Sequence, residues 1–156
     1  MGKRVIVVGG GIAGMQTALK LSAGGVSALL LERDADLGGK LTGWHKLFPS
    51  FTPAHEVLDE LRRRLAASDV EVRTRCEVAE VARDGVMLST GERLEADAVV
   101  VATGFTLFDA RIKEEYGYGI YDNVYTTVDI ERMLNEGNVT TSSGRRPRRI
   151  ALLHCV

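Results

Sequence analysis

The chain has 156 residues, of which 45% are apolar and 26% charged, and its net charge is −1. Those proportions describe one ordinary globular domain, and the charge balance gives no reason to expect a nucleic-acid partner. Two widely separated cysteines, Cys76 and Cys155, exclude a disulfide scaffold, a zinc quartet and an iron–sulfur run, so a reducing cytoplasm is the expected setting.

The apolar runs are strand-sized and fall short of the ~20 residues that cross a bilayer, so direct membrane insertion is not expected. No cleavage-like segment follows the basic start Met1-Gly2-Lys3-Arg4. The unusual count is 17 glycines against 3 prolines, which makes the positions of the glycines worth following.

In chain order, Val5-Ile6-Val7-Val8 predicts a strand buried on both faces, as in a parallel sheet. Gly9-Gly10-Gly11 follows at once. Ile12, Met15, Ala18, Leu19 and Ser22 then mark one face of a helix that stops at Gly24-Gly25. A second buried run, Ala28 to Leu31, ends at Glu32 and completes a β-α-β unit.

A loop with Gly38-Gly39 comes next, and Thr52-Pro53 reads as the N-cap and first position of a helix. Ala54, Val57, Leu58, Leu61 and Leu65 give that helix its apolar stripe, with Arg62, Arg63 and Arg64 in its last turn.

Over residues 70–96 the period changes to two, in Val70/Val72, Cys76/Val78 and Val86/Leu88. Turn chemistry at Asp84-Gly85 and Thr90-Gly91 predicts an antiparallel β-meander inserted into the parallel fold. Ala98 to Val101 predicts a third fully buried strand, closed by Ala102-Thr103-Gly104.

A short helix is expected from Val128 to about Asn135, capped by Thr126 or Thr127 and ended by Gly137. The expected organisation is an α/β, Rossmann-like dinucleotide-binding domain over 1–137 and a polar, Arg-rich linker over 138–149. A further strand begins at 150 and is cut short at 156, so the chain reads as a piece of something longer.

Gly9-x-Gly11-x-x-Gly14 is G-x-G-x-x-G in the context that gives it meaning, after a strand and opening a helix. Gly9 permits the tight turn, Gly11 clears room for a pyrophosphate, and Gly14 lets helix and strand pack closely. The unpaired N–H groups at the helix start, around Ile12 and Ala13, then face the phosphates.

Glu32 lies 18 residues beyond Gly14, where a carboxylate accepts from ribose hydroxyls and disfavours a 2′-phosphate. Arg33 beside it reads as a solvated neighbour or a phosphate contact. To this point NAD and FAD fit equally. Three features favour FAD: the second glycine pair in Leu37-Gly38-Gly39-Lys40, the inserted meander, and Thr103-Gly104 closing the third strand.

V-V-G-G-G-I-A-G, L-L-L-E-R, L-G-G-K and A-D-A-V-V-V-A-T-G together resemble the FAD domain of two-dinucleotide-binding flavoproteins. Leu47-Phe48-Pro49, the run from Gly117 to Val124, Glu131-Arg132-Met133-Leu134 and I-A-L-L-H-C-V narrow the likeness. They resemble the flavoprotein subunit of heterodisulfide reductases and, equally, the flavoprotein subunits of quinone-interacting oxidoreductase complexes.

The resemblance implies an FAD-binding, electron-transferring subunit that works with other subunits. Gly9, Gly11, Ile12, Ala13 and Gly14 would face the pyrophosphate. Glu32 and Arg33 would lie at the adenosine ribose, and Gly39, Lys40 and Leu41 along the pyrophosphate and ribityl side. Val78 would clamp adenine through its backbone, and Ala102, Thr103 and Gly104 would close over the flavin.

Methanogen-type subunits carry cysteines after the Phe-Pro segment. Ser50 to Val57 has none here, so no metal cluster is expected. The family's second nucleotide-binding region is also missing, so this stretch alone is not expected to complete a catalytic cycle.

A pyridine nucleotide-disulfide or amine-oxidase-like flavoenzyme, and a non-catalytic nucleotide-binding piece, are the competing readings. No catalytic residue is assigned. Cys155 reads as a core hydrophobe or a redox group, and Cys76 as core. His55 reads as a surface residue. His45, beside Trp44, and Tyr116, Tyr118 and Tyr121 read as packing residues or as neighbours of a flavin ring. Arg145 to Arg149 reads as a solvated run or a contact for an acidic partner.

Overall fold

The computed structural model describes residues 2–154. Strand β1 (Arg4–Val8), helix α1 (Ile12–Ala23) and strand β2 (Ser27–Leu31) form the expected β-α-β unit, with β1 and β2 parallel from Arg4↔Ser27 to Val8↔Leu31. A 3₁₀ turn (Gly39–Gly43) and a small hairpin of β3 (Lys46–Leu47) and β4 (Thr52–Pro53) lead to helix α2 (Ala54–Ala66). Strands β5 (Glu71–Arg73), β6 (Val78–Ala82), β7 (Gly85–Leu88), β8 (Arg93–Glu95) and β9 (Ala98–Val101) follow, then helix α3 (Thr127–Asn135). Among the described residues no helix is long and apolar enough to cross a membrane.

The main sheet is wholly parallel, in the order β5-β2-β1-β9. The chain moves from β1 to β2 on one side and returns to β9 on the other. The carboxyl end of β1 is therefore the topological switch point, where the loops part and leave a crevice.

Alternate residues of the central strands divide the core in two, as a pleat with a two-residue period requires. Val7 and Leu30 pack with Met15, Leu58, Leu61 and Leu65 of the helices. Ile6, Val8, Leu29 and Leu31 pack with Val86, Leu88 and Leu94 of the meander. The molecule is thus a sandwich of two helices, a parallel sheet and an antiparallel sheet.

Four expectations are corrected. The meander begins at Val78 rather than Val70. Glu71–Arg73 instead joins the parallel sheet as its edge, in register Leu29↔Glu71 to Leu31↔Arg73. An alternating run suits an antiparallel strand and a half-covered parallel edge equally, so the period cannot separate the two.

Thr52 does not cap α2. It pairs with Leu47 across the hairpin, its hydroxyl lies 2.7 Å from that of Ser50, and Pro53 takes the cap position with no side-chain bond.

Strand β9 is an edge rather than a fully buried strand, and Val101 is 60% exposed. Its run of valines still suits it to one parallel neighbour, β1.

Ile150–His154 forms no strand, because no ladder partner lies alongside, and Ile150, Leu152 and Leu153 are exposed. Cys155 and Val156, on which the remaining expectations for this segment rest, lie outside the described residues.

The last helix carries a capping box. Thr126 Oγ1 accepts from the Asp129 N–H, while Asp129 Oδ2 accepts from the Thr126 N–H (2.9 Å) and hydroxyl (2.7 Å).

Candidate functional site

The glycine-rich turn is built by close approach. Gly9 has φ +108°, and a Cβ there would lie 2.4 Å from the Ala102 carbonyl oxygen. A Cβ on Gly14 would lie 1.8 Å from the Gly9 carbonyl oxygen. Strand β1, the first turn of α1 and the end of β9 can therefore meet only with glycine at both positions.

Gly11 differs. Its φ is −74°, and a Cβ built on it would have no protein atom within 4 Å. The protein does not need that space for its own packing. The space faces outward at the start of α1, where no side chain caps the helix and no acidic residue occupies the first turn. Unpartnered N–H groups and the positive end of the helix dipole make such a place suited to a phosphate.

Glu32, directly after β2, is the one buried charged residue among those described, 7% exposed. Its Oε2 accepts from the Gly10 N–H (2.6 Å) and its Oε1 from the Asp34 N–H (2.9 Å). Two donors satisfy only part of a carboxylate's capacity, so lone pairs remain for hydroxyl groups of a ligand. The same bond explains Gly10, where a Cβ would lie 2.9 Å from Oε2 of Glu32.

The second glycine pair then folds onto the first. The Gly38 N–H donates to the Gly10 carbonyl (2.9 Å), Gly11 and Gly38 form an isolated parallel bridge, and a Cβ on Gly39 would lie 3.3 Å from the Gly11 Cα.

These parts enclose a cleft of about 960 Å³ at the switch point. Gly9, Gly11, Ile12, Ala13, Glu32, Arg33, Gly39, Lys40, Leu41, Val78, Ala102, Thr103 and Gly104 all line it. Gly14 does not; it packs behind the turn, against Gly9. Segments from five parts of the chain thus converge on one elongated space of a size that holds a small-molecule ligand.

No sequence motif marks the other lining residues Asp34, Asp36, Thr42, Trp44, Arg62, Glu77 and Phe105 as part of a site. The Lys40 ammonium sits 4.6 Å from the centre of the Phe105 ring, joining the two walls. Cys76, read as core, packs against the meander core and also lines the cleft.

His45 turns away from the cleft. Its backbone N–H donates to Glu131 Oε2 (2.6 Å) and its Nδ1 lies 3.2 Å from Asn135 Oδ1, whereas the preceding Trp44 lines the cleft. His55 is exposed on the first turn of α2. Tyr118 lies under the Arg111 guanidinium, its ring centre 5.5 Å from the guanidinium carbon. None of Tyr116, Tyr118 and Tyr121 is a lining residue.

Partial burial pushes the Asp129 carboxyl up. Hydrogen bonds from the Thr126 hydroxyl and N–H and from Tyr118, with the charge of Arg132, outweigh it and hold the carboxyl below the usual carboxylate range.

Residues 7–60 match an NAD(P)-binding Rossmann-like domain, and residues 46–139 match the pyridine nucleotide-disulphide oxidoreductase family. The chain belongs to the pyridine nucleotide-disulphide oxidoreductase family.

Among curated relatives of this chain, a CoB–CoM heterodisulfide reductase iron-sulfur subunit from Methanopyrus kandleri is 51% identical over 70 residues. That is 41% of this chain and 10% of the relative. The corresponding subunit of Methanocaldococcus jannaschii is 43% identical over 70 residues, 41% of this chain and 11% of the relative. The matched stretch is thus about a tenth of the length of these relatives.

In fold, the tetrameric form of 2-methyl-3-hydroxypyridine-5-carboxylic acid oxygenase overlays with a TM-score of 0.52 at 21% identity. The overlay covers 63% of this chain and 38% of that one. The pyridine nucleotide-disulphide oxidoreductase chain is therefore an α/β protein whose Rossmann-like sheet places a nucleotide-type cofactor site at its switch point.

Proposed function

We propose that this chain is the FAD-binding domain of an electron-transferring oxidoreductase subunit, of the kind found as the flavoprotein of heterodisulfide reductases, acting in the cytoplasm with other subunits. The supporting observation is the meeting of the two glycine loops around the open position at Gly11, with the Glu32 carboxylate beside them. A single glycine loop serves any dinucleotide. A second one folded against it extends the backbone-lined channel along the diphosphate toward a longer ligand, which favours FAD over a bare nicotinamide cofactor.

The fit follows the cleft. The N–H groups at the start of α1 and around Gly39 would hold the diphosphate. Glu32, already anchored by Gly10 and Asp34, would accept from the adenosine ribose hydroxyls with its remaining lone pairs. Val78 would bound the adenine end; Lys40 and Leu41 would line the ribityl chain, and Ala102 to Gly104 the flavin side. When bound, the flavin supplies the redox chemistry, accepting an electron pair as hydride and releasing electrons singly. The chain's contribution is to bind it, orient it and exclude water from one face. The donor and acceptor would reside on other parts of a complex, in keeping with relatives named as subunits.

The test is a titration of the purified chain with FAD and, separately, with NAD⁺, followed by flavin and protein fluorescence. The expected result is saturable FAD binding tighter than NAD⁺ binding. Glu32→Ala should weaken it about 10- to 100-fold, the scale of a lost charge-assisted hydrogen bond. Tighter NAD⁺ binding, or an affinity for FAD unchanged by Glu32→Ala, would contradict the reading.

A further inference from the structure

Arg62 stands apart from its arginine neighbours. Arg63 pairs with Glu60 at the surface (2.7 Å) and Arg64 is exposed, whereas Arg62 is half-buried and lines the cleft. Its Nη2–H donates to the carbonyl of Leu37, the residue just before the second glycine pair. Among the described residues no carboxylate lies within ion-pair distance of it.

A guanidinium carries five N–H donors, and one neutral carbonyl does not offset partial removal of its charge from water. An anion in the cleft would. The Leu37 contact holds the guanidinium beside the second glycine loop, in the wall of the cleft that Glu32 and Gly39 also line. Two phosphoryl groups of a dinucleotide could meet it there, the diphosphate bridge or a ribose 2′-phosphate. The Glu32 side chain, proposed above for the ribose, would disfavour the second.

We infer that Arg62 binds the diphosphate of the dinucleotide, as a cation supplied from α2, outside both glycine motifs. This rests on the FAD reading above. Arg62 has two tasks: it fixes the second glycine loop through the Leu37 carbonyl and offers its remaining N–H groups to phosphate oxygens. The planar fork suits a diphosphate better than a lysine ammonium does.

The experiment measures affinities of the wild-type chain, R62Q and R62K for FAD, ADP and adenosine 2′,5′-bisphosphate over a range of salt concentrations, with thermal unfolding of each variant. R62Q should lose about 10- to 100-fold in affinity for FAD and ADP, and its salt dependence should flatten. R62K should recover part of both, and binding of the bisphosphate should change little.

If R62Q binds FAD and ADP as the wild type does, the inference is overturned and the FAD reading stands. The same holds if affinity falls in both variants with the salt dependence intact, because Arg62 would then act only on the loop. A loss confined to the bisphosphate would move Arg62 to a 2′-phosphate site and overturn the inference. A wild-type chain that binds no FAD would overturn the FAD reading and the inference with it.

Discussion

Among the described residues, every buried hydrophobic side chain lies between Val5 and Leu94, whereas the segment from Ala102 to His154 buries none. The first region is held by apolar burial on two faces of a parallel sheet. The second is held by polar contacts. Asn135 Nδ2–H donates to the Gly43 carbonyl (2.9 Å), the His45 N–H donates to Glu131, and Ser142 N–H donates to Asn123 Oδ1 (2.7 Å). The cleft is assembled almost wholly from the first region, and α3 touches it only indirectly, by holding the loop that carries Trp44. Opening the first region exposes a packed apolar core, while opening the second breaks only a few polar contacts, so the second region should open first.

The largest effect should come from the core. Leu61 is 1% exposed between α2 and the sheet, and Leu61→Ala should cost about 2–5 kcal/mol. Leu134→Ala on α3, where the side chain is 38% exposed, should stay within about 0.5 kcal/mol. Urea unfolding of the two variants measures the contrast, and equal losses would erase the distinction between the regions.

Next comes Gly14→Ala. Its Cβ has to displace the Gly9 carbonyl, at a cost of about 1–3 kcal/mol for overpacking, and binding in the cleft should fall with stability. A smaller and local change is expected for Thr126→Ala, which removes half of the capping box. About 1 kcal/mol should be lost, read as faster amide exchange in α3 with the exchange of β1 and β2 unchanged.

The smallest effect is a pH dependence. The Asp129 carboxyl titrates lower in the folded chain than in the unfolded one. Its contribution is therefore complete above the unfolded value, near 4, and is lost as pH falls through the folded value. Amides of α3 should lose protection in that acid range before those of the central strands do.

The same division governs what is legible in the sequence. The β1-α1-β2 unit, the Glu32 position and the second core helix are readable because a buried element repeats its apolar residues at a fixed period, and that region is mostly buried. Errors arise where burial is partial. Val70/Val72 alternates on a strand that serves as a parallel edge, and Ala98 to Val101 looks central although one edge is open.

Trp44 and Arg62 reach the cleft through tertiary folding alone. Trp44 follows a 3₁₀ turn fixed by α3, and Arg62 projects from a helix whose stripe otherwise marks core. No local spacing announces either. Gly117 is similarly opaque: it has φ +72°, and a Cβ there would meet the Tyr121 ring at 2.2 Å, a contact four residues away that no motif encodes.

Gly11 offers the most direct test of the cleft as a dinucleotide site. Alanine fits its backbone conformation and meets no protein atom, so Gly11→Ala should leave thermal unfolding unchanged or slightly raised. The added methyl group would, however, stand where the diphosphate approaches. The decisive measurement is the FAD affinity of Gly11→Ala beside its melting temperature. A dinucleotide site requires wild-type stability with FAD binding reduced at least about 10-fold, the effect of a misplaced methyl group on a close contact. Wild-type stability with wild-type FAD affinity would contradict that assignment.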